Sequence, residues 1–178
     1  MRFITPRDDR WQTLTGEDGP LVTLTPRPHA LLTLLQWHGA RATWPAGLPV
    51  GVALANDADV AELAADLPRL GLVALHFPKW TDGRAYSQAR LLRSRYRYPG
   101  ELRATGEVLV DMVPLLERTG FDAAVLRGDQ SLEAAERALG FFGAYYQGDV
   151  GQPRPLFARD ADERRPASTP FTDSGAAI

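Results

Sequence analysis

Between residues 48 and 148 one pattern recurs four times: a short apolar run, a polar turn, then a longer stretch with helical spacing. The apolar runs are VGVAL (Val50–Leu54), LVALHF (Leu72–Phe77), GELRA (Gly100–Ala104) and FDAAVLR (Phe121–Arg127). Each leads into a helix-like segment: ADVAELAADLPRL, RAYSQARLLRSRY, GEVLVDMVPLLERTG and DQSLEAAERALGFF. In the first of these, Val60, Leu63, Leu67 and Leu70 fall on one helical face. Pro114 must sit in an early turn of the third, because it cannot donate within a helix. Strand runs without polar alternation belong to a sheet covered on both sides, and strand–helix alternation gives parallel pairing. The chain is therefore expected to be α/β, with a mostly parallel sheet of about four βα units and helices packed around it. A half-barrel is one arrangement open to it, since four such units are half of eight, and a second copy of the chain could complete it.

The segments outside this core divide the chain further. Residues 1–47 form an N-terminal extension, with a short strand expected at Pro20–Thr25 and a helix at His29–Ala40. Residues 48–148 are the repeat core. Residues 149–178, rich in proline and without apolar periodicity, read as an extended arm passing into a flexible tail.

Composition removes several function classes. The 178 residues contain no cysteine, so disulfides, thiolate metal sites, cysteine nucleophiles and cysteine-held iron–sulfur clusters are excluded. A net charge of -2 argues against nucleic-acid binding. No apolar run approaches the ~18 residues of a membrane span, and the N-terminus lacks the apolar stretch of a signal peptide, so a cytoplasmic, membrane-free protein is expected. Neither GxGxxG, a Walker A loop nor a GxSxG elbow occurs, and no cofactor is evident. His29, His38 and His76 have no metal-ligand spacing, so no metal site is expected, and His76, inside a strand, is expected to pack in the core.

Ligands of parallel sheets bind at the carboxyl ends of the strands, where helix N-termini favour anions. Those ends offer Asn56 and Asp57; Lys79, Trp80, Thr81, Asp82, Gly83 and Arg84; Arg103, Thr105 and Gly106; and Arg127, Asp129 and Gln130. The expected ligand site is an anion pocket formed by Lys79, Trp80, Thr81, Asp82, Arg84, Arg103, Thr105 and Arg127. Lys79 is the one lysine beside nineteen arginines, which suits a need for a compact, titratable ammonium. With Asp82 it is a candidate for acid–base chemistry. The structural alternatives are concrete. Asn56, Asp57, Thr105 and Asp129 also suit helix caps, and Asp82-Gly83 is a common turn pair. Arg90, Arg93 and Arg97 form either a solvated face or a surface for an acidic partner.

FPKWTDGRAYSQARLLR, with GELRATGEVL, RTGFDAAVLR and YYQGDV, resembles a bacterial family of uncharacterised proteins associated with assimilatory sulfite reduction. Trp80 stands where that pattern usually has Phe, and the Val108–Leu116 segment departs from it. Members are labelled predicted oxidoreductases because their genes tend to lie beside that of the sulfite reductase haemoprotein. The resemblance covers about residues 48–148 and implies a pathway without catalytic residues to carry over. It implies an accessory protein of sulfite and sulfate reduction that binds a small anionic metabolite. Two other roles fit the same resemblance: a module docking on the sulfite reductase, or an oxidoreductase using a bound nicotinamide or flavin.

Overall fold

The computed structural model describes residues 1–14, 24–142 and 145–159. Seven strands form one curled, wholly parallel sheet: β1 (Arg2–Phe3), β2 (Gln12–Thr13), β3 (Ala30–Thr33), β4 (Val50–Leu54), β5 (Leu70–Phe77), β6 (Glu101–Gly106) and β7 (Ala123–Ala124). Their order across the sheet is β1-β7-β6-β5-β4-β3-β2. Four helices lie around this half-barrel: α1 (Leu34–Ala40), α2 (Arg84–Ser94), α3 (Val113–Thr119) and α4 (Leu132–Leu139). The expected α/β architecture is the observed one, and residues 1–47 supply three strands and a helix to the same sheet.

Two segments fold differently from expectation. The stretch expected as one helix, His29–Ala40, divides into β3 and α1. Ala30 and Leu32 are fully buried in the sheet, and Thr33 starts α1 with a capping box: its hydroxyl accepts from the Gln36 N–H while Gln36 accepts from the Thr33 N–H. The segment after β4 is not an α-helix but two 3-10 turns, Val60–Leu63 and Leu67–Arg69. Asp59, rather than Asn56 or Asp57, caps the first by accepting from the Ala61 N–H. Pro68 lacks a backbone donor, and the buried Asp66 carboxylate receives the Trp37 indole at 2.9 Å and Arg41 at 3.1 Å. Pro114 does lie in the first turn of α3, which ends at Gly120 with φ 99°. The strand expected at Pro20–Thr25 falls largely outside the described residues, as does the tail from residue 160 onward.

Strand alternation sorts the side chains onto two faces. The convex face packs beneath the helices through Leu32, Val52, Leu54, Val73, Leu75, Phe77, Leu102 and Ala104, all buried. Register arranges the concave face in tiers, because paired residues of a parallel sheet point the same way. The lowest tier runs Thr13, Leu31, Gly51, Leu72, Glu101. The next runs Thr33, Ala53, Ala74, Arg103, Ala123, Arg2. The third holds His76 beside Thr105.

β1 and β2 occupy opposite edges, yet only residues 4–11 separate them in sequence. In a parallel sheet that connection must run from the carboxyl end of β1 back to the amino end of β2, across the open side of the curl. Its contacts agree. Asp9 receives Arg103 of β6 at 2.7 Å, and Trp11 is 6% exposed in a cluster with Leu31, Leu72 and Ala74. Gly71 makes room for it, since a Cβ there would lie 3.2 Å from the indole.

Candidate functional site

The carboxyl ends of β4–β7 form the mouth of the curled sheet, and side-chain hydrogen bonds hold its loops. Gln88 of α2 donates to the Ala55 and Ala58 carbonyls at 2.8 and 2.9 Å. Asn56 donates to Asp82 at 2.7 Å, tying the loop after β4 to the loop after β5. Gln130 accepts from the Val110 N–H at 3.0 Å, and the Glu107 N–H donates to the Phe77 carbonyl at 2.8 Å. These contacts hold the loops that carry the groups displayed here.

The anticipated residues separate into three groups. Lys79, Trp80, Thr81, Asp82 and Arg84 come together on the β5–α2 loop, and Arg127 stands on the loop after β7. Arg84 forks onto Asp82 at 3.0 and 2.7 Å, and the Arg84 backbone N–H also donates to that carboxylate. The Arg84 side-chain hydrogen bonds, then its backbone N–H, hold the Asp82 carboxyl at about 2, and the side-chain bond to Asp82 pushes the guanidinium up. Arg127 is bound twice, to Asp129 at 2.6 and 2.7 Å and to Glu107 at 2.7 Å. Hydrogen bonding from Arg127 sets the Asp129 carboxyl at about 2. Asp129 is thus an ion-pair partner, and Ser131 caps α4.

Arg103 lies apart from these. It stands in mid-strand on the second concave tier, 3% exposed, and is neutralised by Asp9 and Glu101. The flanking alanines 53, 74 and 123 leave space for its side chain. Glu101 also receives Arg2 at 2.8 Å, so the four residues form a charge-balanced chain joining β1, β6 and the crossing connection. Those contacts support a role in closing the sheet. Thr105 is half-buried at the mouth and donates to the Leu75 carbonyl at 3.3 Å.

Alone among the expected cations, Lys79 has a side chain without a hydrogen bond or ion pair among the described residues, although its carbonyl accepts from the Asp82 N–H at 3.0 Å. It is exposed two residues past β5, beside Trp80, which is 58% exposed. His76, expected in the core, is instead exposed on the concave face next to Thr105. Gly106, at φ 90°, lets the chain pass its ring: a Cβ there would lie 2.7 Å from the imidazole and 2.3 Å from the Phe77 carbonyl. Alternation was the available signal for His76, because it shares parity with Leu72 and Ala74, opposite Val73, Leu75 and Phe77.

The Arg90, Arg93, Arg97 set also divides. Arg93 is largely buried and donates to the Gly100 and Gly120 carbonyls at 2.9 Å, to the Tyr98 carbonyl and to Asp122. Arg90 and Arg97 are exposed. No cluster of three or more metal-ligating side chains occurs among the described residues, and no helix there is long and apolar enough to cross a membrane.

Residues 51–157 match the family described as bacterial protein of unknown function (DUF934). No curated protein matches the chain.

Proposed function

The chain belongs to this bacterial family of unknown function, and we propose that it is an accessory protein of assimilatory sulfite reduction that holds a small oxyanion at the mouth of its sheet. The observation that carries the reading is the charge at the mouth. Arg84 is held by Asp82 and Arg127 by both Asp129 and Glu107, so among the described residues Lys79 is the cation of the mouth whose side chain has no acidic partner, beside the concave face where His76 and Thr105 stand. An ammonium there attracts an anion as a point charge, while the His76 ring offers a hydrogen bond from the concave side. Trp80 supplies an exposed ring against which a planar ligand group can stack. The sulfur-assimilation setting rests on the Phe77–Arg93 resemblance. Asp82 orients Arg84 and, ionised to about pH 2, is a hydrogen-bond acceptor at working pH.

The test is a thermal-shift panel of sulfite, sulfate, phosphate and adenylyl sulfate against a chloride control, in wild type and Lys79→Ala. A ligand at 100 times its Kd stabilises by about 2.7 kcal/mol. One oxyanion should raise Tm, and the shift should be smaller in Lys79→Ala. Equal shifts in both proteins refute the assignment.

Docking on the reductase haemoprotein is the second reading, favoured by the exposure of Phe141, Phe142 and Tyr146. Purified haemoprotein should then bind wild type and lose affinity for Phe141→Ser.

A further inference from the structure

The far end of α2 carries a different feature. A cavity of about 420 Å³ lies between α2 and the C-terminal arm, lined by Arg90, Arg93, Ser94 and Arg97 on one side and by Gly148–Val150 and Pro153 on the other. Because α2 returns antiparallel to β5, this cavity lies at the opposite edge of the sheet from Lys79. Its volume falls in the range of small-ligand sites.

The charges here do not cancel. Arg93 is committed to Asp122 and to carbonyls, and Asp149 faces Arg118 at 3.5 Å while accepting from the Gln152 N–H at 2.7 Å. The side chains of Arg90 and Arg97 have no hydrogen bond or ion pair among the described residues, the Arg90 carbonyl accepting from the Ser94 hydroxyl at 2.6 Å. Two uncompensated guanidinium groups therefore line one hollow, whereas Arg2, Arg41, Arg84, Arg103 and Arg127 all have carboxylate partners. Both walls are constrained. Arg93 ties the end of α2 to Gly120, and the Val150 N–H donates to the Arg118 carbonyl. The arm turns tightly here, with the Asp149 N–H donating to the Gln152 carbonyl at 2.9 Å. Arg118 also lies 4.1 Å from the Tyr145 ring. Arg97, at φ 51°, adopts a left-handed conformation uncommon for a side chain of its size.

We propose that this cavity binds a doubly charged oxyanion, the head group of a phosphate monoester or inorganic sulfate, between Arg90 and Arg97. Forked guanidinium donors suit such oxygens, and two of them balance a dianion. The site is independent of the mouth.

Isothermal titration with inorganic sulfate, inorganic phosphate and glycerol 2-phosphate at constant ionic strength tests this on the full chain. The variant is Arg90→Gln/Arg97→Asn, asparagine being tolerated at positive φ. In the Lys79→Ala background, which removes the cation of the mouth, at least one dianion should still bind, with Kd raised tenfold or more at unchanged Tm once the double variant is added. The ligand preference tells an ester head from the free ion. The proposal fails if none of the three binds in the Lys79→Ala background, or if the binding seen there survives addition of the double variant. It fails equally if Lys79→Ala abolishes binding, or if polyglutamate binds wild type while the small dianions do not, which would make this a surface for an acidic protein. Because Lys79→Ala is the variant that reports on the mouth, either site can fail alone.

Discussion

Replacing Arg103 by leucine separates a ligand-binding arginine from one that closes the sheet. The substitution leaves Asp9 and Glu101 facing a side chain that cannot donate to either. Breaking a buried ion pair costs about 3–5 kcal/mol when the stranded charge has no other partner. Here Glu101 keeps Arg2 at 2.8 Å, and the Asp9 side chain is 24% exposed. Both soften the loss, which places it near the lower end, at about 3 kcal/mol. With a urea slope of about 2 kcal/mol per molar, the unfolding midpoint should fall by about 1.5 M. Adding Asp9→Asn and Glu101→Gln should recover part of the fall, since the stranded charges go with the cation. Urea unfolding followed by tryptophan fluorescence reads the midpoint directly, because Trp11 lies on the same concave face. A midpoint within about 0.5 M of wild type would refute the structural role, being a loss below about 1 kcal/mol at that slope. If oxyanion binding at the mouth disappeared at the same time, Arg103 would be serving a ligand.

Other perturbations test the mouth and the fold. Asp82 and Asp129 have carboxyls held at about 2 by Arg84 and Arg127, below the usual 3.8. Depressed carboxyls add stability that is complete above about pH 4 and lost as pH falls toward about 2. The Tm of Asp82→Asn should therefore lie below wild type at neutral pH, and the two curves should converge near pH 2. Tyr86 is pushed up to about 12 by burial, and burial raises Tyr98 as well. Both phenols should resist ionisation above pH 10 in ultraviolet titration, with stability falling as pH rises past that point because the unfolded phenols lose protons first. Gly106→Ala should cost about 1–3 kcal/mol in urea unfolding, since φ is 90° and the new methyl would meet the Phe77 carbonyl.

Strands β4 and β5 were legible because sheets covered on both faces demand continuous apolar runs, and VGVAL and LVALHF provide them, whereas GELRA, with Glu101 and Arg103, was placed by the strand–helix alternation around it. ALLTLLQW was not, because its paired leucines satisfy both the two-residue and the helical period. Thr33 and Gln36, three apart, held the signal that would have moved the helix start to Leu34. ADVAELAADLPRL keeps a helical apolar period, yet Pro68 and the inward-turned Asp66 stop an α-helix from forming. At the mouth, the clustering from Lys79 to Arg84 was local in sequence and therefore readable. The carboxylate partners of Arg103 and Arg127 were harder to read. Asp9 is 94 residues from Arg103, and Glu107 is 20 from Arg127. Composition gave no means of knowing which arginines would reach the mouth with their charge already balanced.

The β1–β2 connection also bears on the order in which the chain can assemble during synthesis. Arg2 pairs with Ala123 and Phe3 with Ala124, at a separation of about 120 residues. Synthesis proceeds from the N-terminus, so the first strand made must wait for the last to emerge before it can pair. Asp9 and Trp11 wait as well, Asp9 for Arg103 of β6 and Trp11 for Leu72 and Ala74 of β5. The contacts that close the curl are therefore long-range ones, whose loop-closure entropy is met only when the rest of the sheet is in place. Strands β3–β6, joined by short local crossovers, can assemble beforehand. The first dozen residues would then act as a latch that secures a sheet already formed.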